Sequence, residues 1–163
     1  MSNPSVAPSP IRYGLARHRP PGQWAPIARS EPLVGTLYRV DEVAAFTAAV
    51  RRAEKLGLRY GLRLEHIPAG FERDDTVAVF GEAETQHLFG SKSRREWRIG
   101  TLSRDMASEV IESYVSKDIA VAAELMSIVE TQDGMPLISV TILARSASDP
   151  AASSQPGSVR SQA

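Results

Sequence analysis

The chain contains no cysteine in 163 residues, which removes disulfides, thiolate metal sites and cysteine nucleophiles together. Histidine is nearly as scarce: His18, His66 and His87 are too few and too scattered for a metal cluster. No run approaches the roughly 18 apolar residues of a membrane helix. Residues 1–30 hold no apolar signal-peptide core. A cytoplasmic protein with no membrane association is therefore expected. Net charge is absent too, with 19 basic and 19 acidic residues, but this zero hides a gradient. Four arginines (Arg12, Arg17, Arg19, Arg29) and no acid occupy residues 1–30, whereas residues 31–145 carry 14 basic against 18 acidic side chains, a balance of −4. A mildly acidic centre argues against a protein that slides along duplex by blanketing phosphates.

What is present reads as one domain between two tails. Six of the eleven prolines fall in residues 1–30 with few large apolar residues, the composition of a disordered basic arm. Residues 146–163, rich in serine and alanine, form a second disordered tail. Between them, Leu33–Arg39 reads as a strand, and Asp41 caps a helix with Val43, Phe46, Val50 and Ala53 on one face, ending at Gly57. Leu58–Ile67 alternates, with Leu58, Tyr60, Leu62 and Leu64 on one face. Thr76–Phe80 is a buried-type strand, and Glu82–Arg95 is a polar insertion. Trp97–Leu102 is a strand that runs into a helix capped by Ser103. A long hairpin turning at Asp133-Gly134 closes the domain. The expected class is α+β: five to six mostly antiparallel strands in one small, curved or barrel-like sheet, with two helices.

Several sequence patterns fail as catalytic or metal motifs. Gly90-Ser91-Lys92-Ser93 lacks the upstream glycine of a phosphate loop. Glu84 and His87 have the spacing of half a di-iron site, without a second half. Asp74-Asp75 followed by Glu96-x-Arg98 echoes a metal-dependent nuclease, but arginine replaces the lysine that would help activate water. No catalytic residue, metal or cofactor is expected. The run Lys92, Arg94, Arg95, Arg98, interrupted by Trp97, admits two readings. In one, the charges are a solvated face and Trp97 is core; in the other, cations and an aromatic hold a single nucleic-acid strand. Gly100 inside a strand marks either a bulge or a close approach to the backbone.

Three stretches, "PLVGTLYRVDEVAAF", "DDTVAVFGE" and "WRIGTLSRDMASEV", together resemble the HIRAN domain family in wording, order and spacing, over about Pro32 to Ala144. Ile99, Gly100, Leu102 and Ala107 match the family's Ile-Gly-x-Leu-x-x-x-x-Ala segment. The resemblance implies an OB-like β-barrel with two helices that binds DNA, notably single strands or their 3′ ends, in repair, replication or mobile-element maintenance. It also implies a separately encoded helicase or nuclease as a companion. Tyr38 matches the family's aromatic, a stacking platform with Arg39 beside it. Arg104 matches a basic position at the start of the second helix, suited to a phosphate. Thr101 follows Gly100, and Arg98 precedes it on the same strand. The family's Asn-Pro-x-Asp loop is replaced by "PAGFERDD", in which Phe71 supplies an aromatic, Arg73 an added cation and Asp74 an acid for a terminal hydroxyl. On this resemblance Gly100 admits the end of a DNA strand, with Arg104 as its counter-charge.

The resulting expectation is a non-catalytic DNA-binding domain over residues 31–145. The alternative is a protein-interaction module on the same fold that has lost the DNA-end pocket, as the −4 balance of the domain suggests. Convergence of Tyr38, Phe71 and Arg104 on one groove would separate the two.

Overall fold

The computed structural model describes residues 10–11, 19, 21–70 and 74–146. In chain order the elements are β1 (Pro10–Ile11), β2 (Trp24–Pro32), a 3-10 turn (Thr36–Tyr38), α1 (Val40–Leu56), β3 (Tyr60–Ile67), β4 (Thr76–Gln86), β5 (Lys92–Thr101), α2 (Arg104–Ser113), a second 3-10 turn (Val115–Lys117), β6 (Val121–Glu130) and β7 (Pro136–Arg145). The class is α+β with two helices, and the strand pairs are all antiparallel.

The strands form two sheets rather than the single curved sheet expected: β1-β6-β7-β2 and β3-β4-β5. One isolated bridge, Val34 to Thr101, joins them at a corner. At the other side β3 lies alongside β6 without a ladder, so the barrel is not closed. Alternation explains why the two sheets still enclose one core. Ile138, Val140 and Ile142 of β7 project inward from the first sheet, and Val77, Val79 and Ile99 from the second; all are at most 2% exposed. They belong to one apolar cluster.

Helix α1 covers β4 and β5. Its apolar residues recur at helical spacing, so Val43, Phe46, Val50 and Ala53 are all buried, each large side chain contributing about 1.5–3 kcal/mol. The fit depends on Gly81 of β4, where any side chain would overlap the Phe46 ring. That ring also meets Trp97, with centroids 6.2 Å apart. Trp97 therefore belongs to the inner face, and the structure supports its core reading.

Four sequence expectations are corrected. Leu33–Arg39 is not a strand: only Leu33 and Val34 bond to neighbouring strands before Gly35 (φ 75°) turns the chain into the 3-10 turn. Asp41 is not the cap of α1; the helix starts at Val40 behind Arg39, and Asp41 sits in its first turn, where a carboxylate favours the exposed N–H groups. The arm does not extend to Ser30, because Trp24–Pro32 pairs with β7. Its prolines are tolerated on an edge strand whose ladder is already broken by two register shifts. Finally, Glu82–Arg95 is not a loop-like insertion. Strands β4 and β5 continue through it as a paired ribbon that turns at His87–Ser91. Other arm positions and residues 147–163 lie outside the described residues.

The remaining boundaries follow the expected local chemistry. The Ser103 side chain accepts from the Met106 N–H at 3.3 Å and starts α2. Gly57 ends α1 in the left-handed region, and Gly134 turns the β6–β7 hairpin.

Candidate nucleic-acid interface

Three backbone segments meet at one end of the β3-β4-β5 sheet. Val34 and Thr101 exchange two hydrogen bonds, 2.9 and 3.0 Å long. They tie the segment leading into the Tyr38 turn to the last residue of β5. The Leu102 N–H donates to the Val77 carbonyl at 3.0 Å, holding the β5–α2 junction to β4. Ahead of β4, the Ala69 N–H donates to Asp75 at 2.9 Å, and His66 Nε2 stands 3.3 Å from the same oxygen. The N–H bond first, then His66, holds the Asp75 carboxyl below its usual range.

Gly100 has a different role from the one the resemblance implied. A Cβ there would lie 2.8 Å from the Val34 carbonyl oxygen and 3.3 Å from the Leu33 side chain. What approaches Gly100 is the chain's own corner, so no room is left for a DNA end at that atom. The other expectation for a strand glycine also holds next door. Val79 pairs with Gly100 and Phe80 with Arg98, leaving Ile99 as the extra residue of a bulge. In a regular strand Arg98 and Thr101, three residues apart, would face opposite sides. The bulge returns both to the outer face, opposite Phe80 and Ala78 respectively, and keeps Ile99 fully buried.

Of the expected site residues, Tyr38 is 93% exposed on a turn closed by its own N–H to Gly35. Arg104 opens α2 at 80% side-chain exposure, and its Nη2 lies 3.8 Å from Asp74 Oδ2. Thr101 is half-buried in the corner bridge, and Arg98 is half-buried two ladder pairs further along. Arg39 is half-buried behind α1 and supplies no side-chain cap. Phe71 and Arg73 lie outside the described residues. The structure thus brings Asp74 to Arg104 and ties the Tyr38 turn to Thr101.

The outer face between the two ends of β5 neutralises itself. Arg63 grips Glu96 through two bonds of 2.8 Å and reaches Glu65 at 2.6 Å. Its guanidinium carbon sits 4.3 Å from the Phe80 ring centre. Glu96 holds Arg63 charged and is itself held below the usual glutamate range, chiefly by that hydrogen bond. Arg94 is paired with Glu82. Of the basic run seen in the sequence, Arg94 is therefore spent within the sheet, and Arg95 lies 5.7 Å from the Trp97 ring centre.

Sequence reading also passed over Leu88 and Phe89, at the tip of the β4–β5 ribbon and each 99% exposed. Two adjacent large apolar residues before a turn glycine, between polar strands, were the available signal. Among the described residues no three metal-ligating side chains converge, and no helix is long and apolar enough to cross a membrane.

No family model, curated protein or solved structure matches the chain.

Proposed function

We propose that this chain is a non-catalytic DNA-binding domain of the HIRAN kind, an open OB-like arrangement that takes single strands or 3′ ends at the corner where its two sheets join. The observation that carries the reading is Tyr38. A tyrosine 93% exposed contributes nothing to a core, yet its backbone is fixed by a closed turn and by the Val34–Thr101 bridge. An exposed ring on a fixed backbone suits base stacking. Arg104, at the first turn of α2, adds a cation where helix N–H groups already favour a phosphate. Asp74 beside it is placed to accept a hydrogen bond from a terminal hydroxyl. Thr101 and Arg98 extend this outer-face strip, with Arg39 as a further contributor; Phe71 and Arg73, outside the described residues, are included on the resemblance alone. The domain would work in the cytoplasm beside a separately encoded helicase or nuclease.

The competing reading, a protein-interaction module, is favoured by the carboxylates that occupy Arg63 and Arg94. Binding of oligonucleotides with free and blocked 3′ ends separates the two. Tighter binding of free ends supports the DNA reading, and no binding of either supports the protein module.

A further inference from the structure

The β4–β5 ribbon extends past its neighbour β3. The ladder between β3 and β4 stops at Tyr60–Ala83, while that between β4 and β5 continues from Glu84–Arg94 to Gln86–Lys92. The His87 N–H bonds the Ser91 carbonyl at 2.9 Å, and Gly90 (φ 79°) makes the turn. Leu88 and Phe89 stand on that turn, both 99% exposed. From Thr85 to Arg95 the sequence contains Lys92, Arg94 and Arg95 and no acid. Arg94 is held by Glu82, which leaves Lys92 and Arg95 as the cations immediately behind the tip, Arg95 lying 5.7 Å from the Trp97 ring.

We infer that this tip is a second nucleic-acid contact, a wedge whose Phe89 ring stacks on an exposed base step with Leu88 filling the gap beside it. The inference rests on the DNA-binding reading and extends it from a strand end to a junction between single strand and duplex. Glu82 and Glu84 lie further down the ribbon, Glu82 already paired with Arg94, so an apolar tip with Lys92 and Arg95 nearest to it complements a polyanion with apolar base faces. Apolar side chains inserted at base steps are a general means of opening or kinking a stack. A lipid surface is the weaker match, because two apolar side chains give only marginal anchoring, whereas one ring suffices for one base. The ten residues of β5 separate tip from corner by roughly 30 Å at ~3.3 Å per residue. That distance corresponds to about nine stacked nucleotides. A strand end held at Arg104 would thus meet the tip near a duplex that begins about nine nucleotides away.

The test compares the full-length parent, a Leu88→Ser/Phe89→Ser double variant and Arg104→Ala on duplexes with 3′ overhangs of three, nine and twenty nucleotides. Because both tip residues are exposed, the double variant keeps the parent's thermal midpoint. It should bind the nine-nucleotide overhang about five- to a hundredfold more weakly, with an unchanged salt slope, since no charge is lost. Unchanged affinity for all three overhangs would overturn the wedge and leave the corner site standing. Loss in the tip variant without loss in Arg104→Ala would support the wedge and overturn the corner site. Binding of the parent to vesicles of phosphatidylcholine and phosphatidylserine, lost in the double variant, with no DNA affected, would overturn the wedge in favour of a membrane contact. A parent that binds no DNA overturns both.

Discussion

The Val34 carbonyl oxygen lies 2.8 Å from the position a Cβ on Gly100 would occupy. The same residue exchanges two backbone hydrogen bonds with Thr101, so one close approach joins the two sheets and seats the turn bearing Tyr38. Gly100→Ala must push that segment away. It should cost about 1–3 kcal/mol, as overpacking typically does, and should weaken single-strand binding in molecules that remain folded. Urea unfolding and an oligonucleotide titration on the same samples check both parts.

Gly81→Ala is the counterpart. The added methyl overlaps the Phe46 ring, and Phe46 is fully buried, so about 1–3 kcal/mol of stability should again be lost. Phe46 meets Trp97, so tryptophan fluorescence should shift. Gly81 pairs with Leu62 and Trp97, three ladder pairs from Thr101, and its added methyl meets Phe46 rather than the Val34 segment; below the unfolding transition DNA affinity should stay at the parent value. Equal losses of binding in both glycine variants would mean that general destabilisation, not the position of the Tyr38 turn, controls binding.

Two carboxylates should contribute to the acid limb of stability. Glu96 is lowered by the Arg63 hydrogen bond, and Asp75 by the Ala69 N–H and then His66. A carboxyl lowered in the folded state contributes stability above its unfolded value, and this contribution disappears as pH falls through the folded value. The loss therefore belongs below the usual carboxylate range and leaves neutral pH untouched. NMR titration should place both groups below their ordinary ranges. Arg63→Ala should return Glu96 to the glutamate range without moving Asp75. An unmoved Glu96 would show that the Arg63 fork is not its cause.

Asp74 stands 3.8 Å from Arg104, with both side chains more than half exposed. An exposed pair of this kind is worth at most about 1 kcal/mol. Asp74→Ala should therefore tighten binding of end-blocked strands by no more than roughly fivefold, because phosphate no longer competes with a carboxylate. It should abolish any preference for a free 3′ hydroxyl. A preference that survives the substitution would remove Asp74 from end recognition.

Much of the fold was legible where one local rule governs. The alternation of Tyr60, Leu62 and Leu64, the Ser103 cap and the Asp133-Gly134 turn all carry their signal within a few residues. The failures share a different origin. Glu82–Arg95 forms a ribbon with little apolar alternation because the part beyond Tyr60 packs on no third strand. Trp24–Pro32 is an edge strand, where prolines that would break an interior strand are harmless. Leu33–Arg39 has a strand's composition, but its path is set by long-range bonds from Leu33 to Ile138 and between Val34 and Thr101. For the proposed site, the motifs pointed to Tyr38, Asp74 and Arg104, of which the structure brings Asp74 to Arg104. That the partner of Gly100 is Val34 could not, because the contact joins residues far apart in sequence.

The most direct measurement is a salt titration of single-strand binding by the parent, Arg104→Ala and Tyr38→Ala. With a phosphate at Arg104, its removal should weaken binding for all base sequences and reduce the slope of log affinity against log salt by roughly 0.7, the value for one single-strand contact. With a base on Tyr38, its removal should cost about 1–3 kcal/mol with the slope unchanged. Two folded variants that bind single strands with the parent's affinity and the parent's slope would contradict a DNA site at this corner.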